Sequence, residues 1–172
     1  DDDTVDRLAC RRALTQCTDY EYVLTEASTG REGLECAHEQ KPDCILLDYH
    51  MPDMNGLDFL AELVDEIGEI PVPVMMLTGA DRASVAVEAI KRGAWDYMVK
   101  DGEREYLKLL PTIIQRVLRE RELRTEKKLT EDKLLQAEAK YRNLVEQIPA
   151  ITYIAALDEA NRVIYISPQI KV

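Results

Sequence analysis

The stretch Cys44-Ile45-Leu46-Leu47-Asp48-Tyr49-His50-Met51-Pro52-Asp53-Met54-Asn55-Gly56 decides how this chain folds. A short apolar run bounded by turn formers reads as a strand buried on both faces, the kind found in parallel sheets. Asp48 closes that run, so its carboxylate falls at the carboxyl edge, where open α/β sheets gather their chemistry. A lone charge there is costly unless it is paired or bound to a metal.

Outward from this stretch the arrangement repeats. Pro73-Val74-Met75-Met76-Leu77 is followed by Thr78, and Trp95-Asp96-Tyr97-Met98-Val99 by Lys100. The chain opens on Asp1-Asp2-Asp3. Carboxylates, a hydroxyl and an ammonium converging on one sheet edge make a site for a cation and a phosphoryl group. Each residue also has a plainer role open to it. Asp48 could be a turn residue, Thr78 a cap, Lys100 a solvated loop lysine and Tyr97 a core aromatic.

Strands alternate with helical patterns up to Lys100, which predicts βαβ units around a parallel sheet. Helices are expected over residues 4–17, 30–39, 56–66 and 85–92. Ser84 would cap the last of these, with Gly93 as its C′ residue. Residues 22–27 read as a further strand. After Asp101-Gly102 the composition changes: Pro111 suits a first helical turn, and no Gly or Pro follows it until Pro149. Leu134, Ala137, Tyr141, Leu144 and Ile148 alternate at spacings of three and four, a coiled-coil seam. A solvated single helix is the alternative. Beyond Pro149, residues 151–157 and 162–166 read as a hairpin around residues 158–161.

A chain of 172 residues accommodates one ordinary domain and an appendage. The net charge of -11 argues against nucleic acid or an anionic membrane as a partner. No apolar stretch has the length of a membrane span, and no signal-peptide pattern is present. Cys10, Cys17, Cys36 and Cys44 have no metal-binding spacing and are expected to be reduced and partly buried. These features fit a cytoplasmic protein.

The acidic pair Asp1-Asp2, the Asp of Leu46-Leu47-Asp48-Tyr49-His50-Met51-Pro52-Asp53-Met54-Asn55-Gly56, the Thr of Met76-Leu77-Thr78-Gly79-Ala80 and the Lys of Asp96-Tyr97-Met98-Val99-Lys100 together resemble a response-regulator receiver domain. The resemblance extends over residues 1–121. It implies a flavodoxin-like, doubly wound, five-stranded parallel sheet, whose first strand would precede Asp1 and fall outside this sequence. It implies Mg²⁺ as cofactor, ligated directly by Asp2 and Asp48, through water by Asp1, and by the backbone carbonyl of His50. Asp48 would be the nucleophile toward a phosphohistidine of a histidine kinase or phosphotransfer protein. Lys100 would act as a point charge on the phosphoryl oxygens, Thr78 would turn its hydroxyl to the acyl phosphate, and Tyr97 would be the switch.

One position departs from the family pattern. Receivers usually follow the lysine with a cis proline, whereas Asp101 stands here. A cis bond before a non-proline residue costs roughly 3 kcal/mol, so a trans Lys100–Asp101 bond is expected.

The stretch from Tyr141 to Pro149, with the hairpin after it, resembles the opening of a PAS sensor domain. Residues 111–148 would then be a coiled-coil linker supporting a homodimer, and residues 149–172 a PAS fragment. The leading function is a phosphoacceptor switch controlling a downstream output module. One rival is a pseudo-receiver serving as a constitutive dimerisation scaffold. Another is a hydrolase with a strand-end Asp nucleophile. Phosphatases resembling haloacid dehalogenases carry a second Asp two residues on, where His50 stands here.

Overall fold

The run that ends at Asp48 forms strand β1 (Ile45–Asp48), and it pairs in parallel with β2 (Val74–Gly79). On its other side β2 pairs in parallel with β3 (Asp96–Lys100), giving a sheet of order β1-β2-β3. The computed structural model describes residues 1–17, 20–64, 68, 70–79, 83–147, 153–155 and 163–166. Two compact units divide the chain, Asp1–Glu122 and Leu123–Val172.

In the first unit the register sets Asp48 beside Leu77, Thr78 beside Val99 and Gly79 beside Lys100. Three strands therefore finish at one edge. The central strand β2 is buried from Val74 to Thr78, and its side chains alternate between two cores. Val74 and Met76 join Leu34, Leu47, Phe59, Leu60 and Leu63 on one face. Met75 and Leu77 join Leu14, Met98, Tyr106, Leu110 and Ile114 on the other. Helices α2 (Gly30–Gln40), α3 (Gly56–Leu63) and α4 (Ala83–Lys91) thus cover the first face, and α1 (Thr4–Thr15) with the start of α5 (Tyr106–Gln147) covers the second. This is the doubly wound, flavodoxin-like arrangement.

Local chemistry sets the helix ends. Asp3 caps α1 by accepting from the Val5 amide at 2.7 Å. Thr29 caps α2 through the Glu32 amide, and Asn55 caps α3 through the amides of Leu57 and Asp58. At the end of α4, Gly93 adopts φ +97°, with Ala94 N–H donating to the Ala89 carbonyl at 2.9 Å and Gly93 N–H to that of Ile90. That is the six-to-one and five-to-two pattern a left-handed glycine permits.

Several expectations are corrected. The sheet has three described strands where four were expected within this sequence, because residues 22–27 join no ladder. The segment keeps a strand-like alternation: Tyr22 and Leu24 turn toward the second core while Val23 is 96% exposed. A cavity of about 110 Å³ is lined by Leu24–Ala27 together with Leu46, Asp48 and Leu77. Arg7 and Arg11 tie the segment to α1 instead, through Glu26 at 3.4 and 2.6 Å.

Helix α3 ends at Leu63 rather than residue 66, since Val64 turns extended at ψ 133°. Ser84 is not an N-cap, because α4 begins at Ala83 and takes it into the first turn. Pro111 lies beyond the first turn of α5. The Asp101 carboxylate starts that helix earlier by accepting from the amides of Glu105 at 2.8 Å and Tyr106 at 3.0 Å. All described peptide bonds are trans, Lys100–Asp101 included, as expected.

In the second unit the helix continues to Gln147 with Leu123, Leu134, Tyr141 and Leu144 all more than half exposed. Strands β4 (Tyr153–Ala155) and β5 (Val163–Ile166) pair antiparallel, with Tyr153 opposite Ile166. Both lie within the stretches 151–157 and 162–166 that the sequence reading assigned to a hairpin. Its turn, residues 158–161, and the seam residue Ile148 lie outside the described residues.

Candidate functional site

The site grows from the carboxyl ends of the three strands. Asp48 is 8% exposed at the tip of β1. Its backbone continues into a tight loop in which Tyr49 N–H donates to the Leu77 carbonyl at 3.0 Å, and Gly56 N–H closes back on the Tyr49 carbonyl at 2.8 Å. Glycine at position 56 relieves a close approach: a β-carbon there would stand 3.1 Å from both the Asp48 carbonyl oxygen and Tyr49 Cα, tighter than ordinary contact. The far end of the loop is pinned by Asp53, whose two oxygens accept from the amides of Gly30 and Arg31 at 2.8 Å each. Those amides, Arg31 first, hold the Asp53 carboxyl below the usual carboxylate range.

Asp1 and Asp2 come to Asp48 from the start of the chain. One carboxylate oxygen from each of the three lies within 4.8 Å of the others. The Asp1 carboxylate also accepts from the Asp3 amide at 2.9 Å, which aligns the acidic run with α1. Lys100 enters from the tip of β3. Its Nζ stands 2.9 Å from Asp1, 3.1 Å from Asp6 and 3.2 Å from Asp48. Burial alone would lower the Lys100 pKa, but Asp48 and Asp6 outweigh it and hold the ammonium above its ordinary value. The group is therefore a fixed positive charge at neutral pH.

Thr78, one residue beyond the Asp48–Leu77 pair, is 1% exposed and donates its hydroxyl to the Gly79 carbonyl at 3.0 Å. Tyr97 lies outside this cluster. It is 44% exposed on β3, opposite Met76 in the register. The His50 side chain is exposed and meets the Tyr49 ring edge-on at 4.9 Å, pointing to no role for its imidazole at the carboxylates. Asp1, Asp2, Asp48 and Lys100 are thus brought together, Thr78 sits at the adjacent strand end, and Tyr97 stands apart.

The donor set is all oxygen, which suits a hard cation such as Mg²⁺ over a thiophilic metal. One oxygen from each of Asp1, Asp2 and Asp48 lies close enough to the others for these three residues to be the ones that would hold such an ion. Lys100 pairs with Asp1, Asp6 and Asp48, Arg104 pairs with Asp6, and Asp2 stands beside Asp1 and Asp48.

Sequence reasoning overlooked Asp6 and Arg104. Asp6 falls in the first turn of α1, where an acidic residue is common, so nothing in the sequence set it apart.

Comparison with known proteins agrees with this geometry. Residues 1–110 match the family described as the response regulator receiver domain. The chain is 40% identical over 85 residues to the nitrate/nitrite response regulator protein NarL of Escherichia coli, covering 49% of this chain and 38% of that protein. It is 38% identical over 96 residues to the transcriptional regulatory protein KdpE of Mycobacterium tuberculosis, covering 55% and 41%. In both cases the chain spans less than half the length of the relative. Among solved structures, the signal receiver domain of a Luxo repressor protein from Vibrio parahaemolyticus superposes with a TM-score of 0.61 at 27% identity, covering 73% of this chain and 90% of that one. The response regulator domain of Thermotoga maritima CheB gives 0.58 at 26% identity, covering 68% and 88%.

Proposed function

This chain belongs to the response regulator receiver domain family, and from that premise we propose that it accepts a phosphoryl group on Asp48 in a two-component relay. The observation that carries the proposal is the cluster of buried Asp48, half-buried Asp1 and exposed Asp2, with the Lys100 ammonium 3.2 Å from Asp48. A carboxylate oxygen of Asp48 attacks the phosphorus of a phosphohistidine on a histidine kinase or phosphotransfer protein. The phosphorus–nitrogen bond breaks, the imidazole leaves with the electron pair and takes up a proton, and an acyl phosphate remains on Asp48.

Lys100 meets the incoming phosphoryl oxygens as a point charge. The Thr78 hydroxyl leaves the Gly79 carbonyl and donates to the acyl phosphate. Tyr97 then moves inward from its exposed position, turning a local charge change into an altered surface beside α5. Mg²⁺, held by Asp2, Asp48 and the His50 carbonyl directly and by Asp1 through water, would neutralise charge and align the phosphoryl group.

The same proposal extends along the chain. Exposed Leu134, Tyr141 and Leu144 at seam spacing support a parallel two-stranded coil over residues 111–148, joining two copies. The β4–β5 pair supports a PAS-type sensor opening over residues 149–172. Phosphorylation would alter the packing of the dimer and so control an output module.

Titration with Mg²⁺ and then beryllofluoride, followed by Trp95 fluorescence, tests the switch. A saturable change is expected in the parent and none in Asp48→Asn. A parent that binds no Mg²⁺ at millimolar concentration would instead mark a constitutive dimerisation scaffold.

A further inference from the structure

Asp6 has no place among the residues that hold the cation or accept the phosphoryl group, yet it contacts the ammonium that meets the phosphoryl oxygens. Its Oδ2 stands 3.1 Å from Lys100 Nζ, and its Oδ1 3.4 Å from a guanidinium nitrogen of Arg104. It lies in the first turn of α1, a helix whose start is held by the Asp3 cap. Arg104 is likewise held. Its amide donates to the Asp101 carbonyl at 3.2 Å, and its backbone takes the left-handed φ of +59°, unusual for a residue with a side chain. Asp101 in turn anchors this loop to the start of α5 through the amides of Glu105 and Tyr106.

The geometry points to Asp6 as a positioning residue for Lys100, a role that rests on the phosphoacceptor reading above. A lysine ammonium is a compact charge on a flexible stem and goes to whichever anions surround it. With Asp6 in place it is drawn toward α1 as well as toward Asp1 and Asp48. Without Asp6 its two remaining anionic partners in the cluster are the carboxylates needed by the cation and the phosphorus. Lys100 would then lean on the nucleophile and compete with the cation for Asp1. Asp6 therefore holds the ammonium at the rim, free to meet phosphoryl oxygens, and Arg104 couples that position to the turn before α5.

The test is a cycle of four full-length proteins: parent, Asp6→Asn, Lys100→Met and the double variant. Each is phosphorylated by acetyl phosphate with saturating Mg²⁺. Asp6→Asn should slow phosphorylation about fivefold, the scale of one partly exposed ion pair, with an unchanged urea midpoint. On the Lys100→Met background the same substitution should cost nothing, because its effect runs through the lysine; a merely structural role would persist there. Beryllofluoride affinity in the same four proteins supplies the cycle should Lys100→Met prove too slow to time. If Asp6→Asn fails to fold, Arg104→Gln takes its place and should slow the reaction in the same direction by a smaller factor. A parent-like rate in Asp6→Asn, or a full penalty surviving in the double variant, overturns the role of Asp6. Asp48→Asn is run alongside. If it is phosphorylated at the parent rate, the phosphoacceptor reading itself fails.

Discussion

Gly56→Ala perturbs the nucleophile's own backbone without touching its side chain. The new β-carbon would stand 3.0 Å from Met76 Cε, 3.1 Å from the Asp48 carbonyl oxygen and 3.1 Å from Tyr49 Cα. The methionine tip can yield, but the two backbone atoms cannot, because Tyr49 N–H is bonded to Leu77 and the Tyr49 carbonyl to Gly56 itself. Overpacking of this kind costs about 1–3 kcal/mol. Alanine returns less than about 1 kcal/mol of helix propensity, since position 56 is the first residue of α3. The net loss is about 1–2 kcal/mol, or a melting point lower by roughly 2–8 °C. Urea unfolding followed by circular dichroism measures it, with Gly102→Ala as control because nothing lies within 4 Å of a β-carbon there. Phosphorylation should slow by about tenfold as the Asp48 carboxylate shifts with its backbone. A Gly56→Ala protein with the parent's urea midpoint would refute the close-approach reasoning, whatever its rate.

Two further outcomes follow from burial and charge. Leu60→Ala, at a fully buried position, should cost about 2–5 kcal/mol. Arg121→Ala breaks a pair with the largely exposed Asp43 and should cost under about 1 kcal/mol; equal losses in urea would contradict the burial assignments. Burial pushes the Cys44 thiol from its ordinary 9.0 up to about 12, so iodoacetamide at pH 8 should leave it unmodified in the native protein and label it in urea. Because the folded value lies above the unfolded one, its stabilising contribution is intact below pH 9.0 and fades as pH rises toward about 12. Stoichiometric native labelling of Cys44 would show that it is accessible.

The strand tips were legible because a run buried on both faces leaves an apolar signature, and Asp48, Thr78 and Lys100 each follow one directly. The register then had only one way to bring them to a common edge. Residues 22–27 carry the alternation of a strand, and the structure honours the alternation without the ladder. Pattern reports which face is buried, but pairing needs a neighbouring backbone at about 4.8 Å.

Pro111 misplaced the start of α5, since the Asp101 carboxylate nucleates that helix ahead of the proline. Asp53 accepts from the Gly30 amide at the start of α2, 23 residues before it. The contact of Asp6 with Lys100 spans 94 residues. Polar contacts at such separations leave no periodicity in the chain, so only the folded arrangement reveals them.

The central claim is that the Asp48 carboxylate takes the phosphoryl group. Incubation with radiolabelled acetyl phosphate, followed by reductive trapping with borohydride and peptide mass spectrometry, tests it most directly. The account predicts Mg²⁺-dependent label, released by hydroxylamine and trapped at position 48 alone. Label that survives in Asp48→Asn, or that forms equally well in excess chelator, would contradict it.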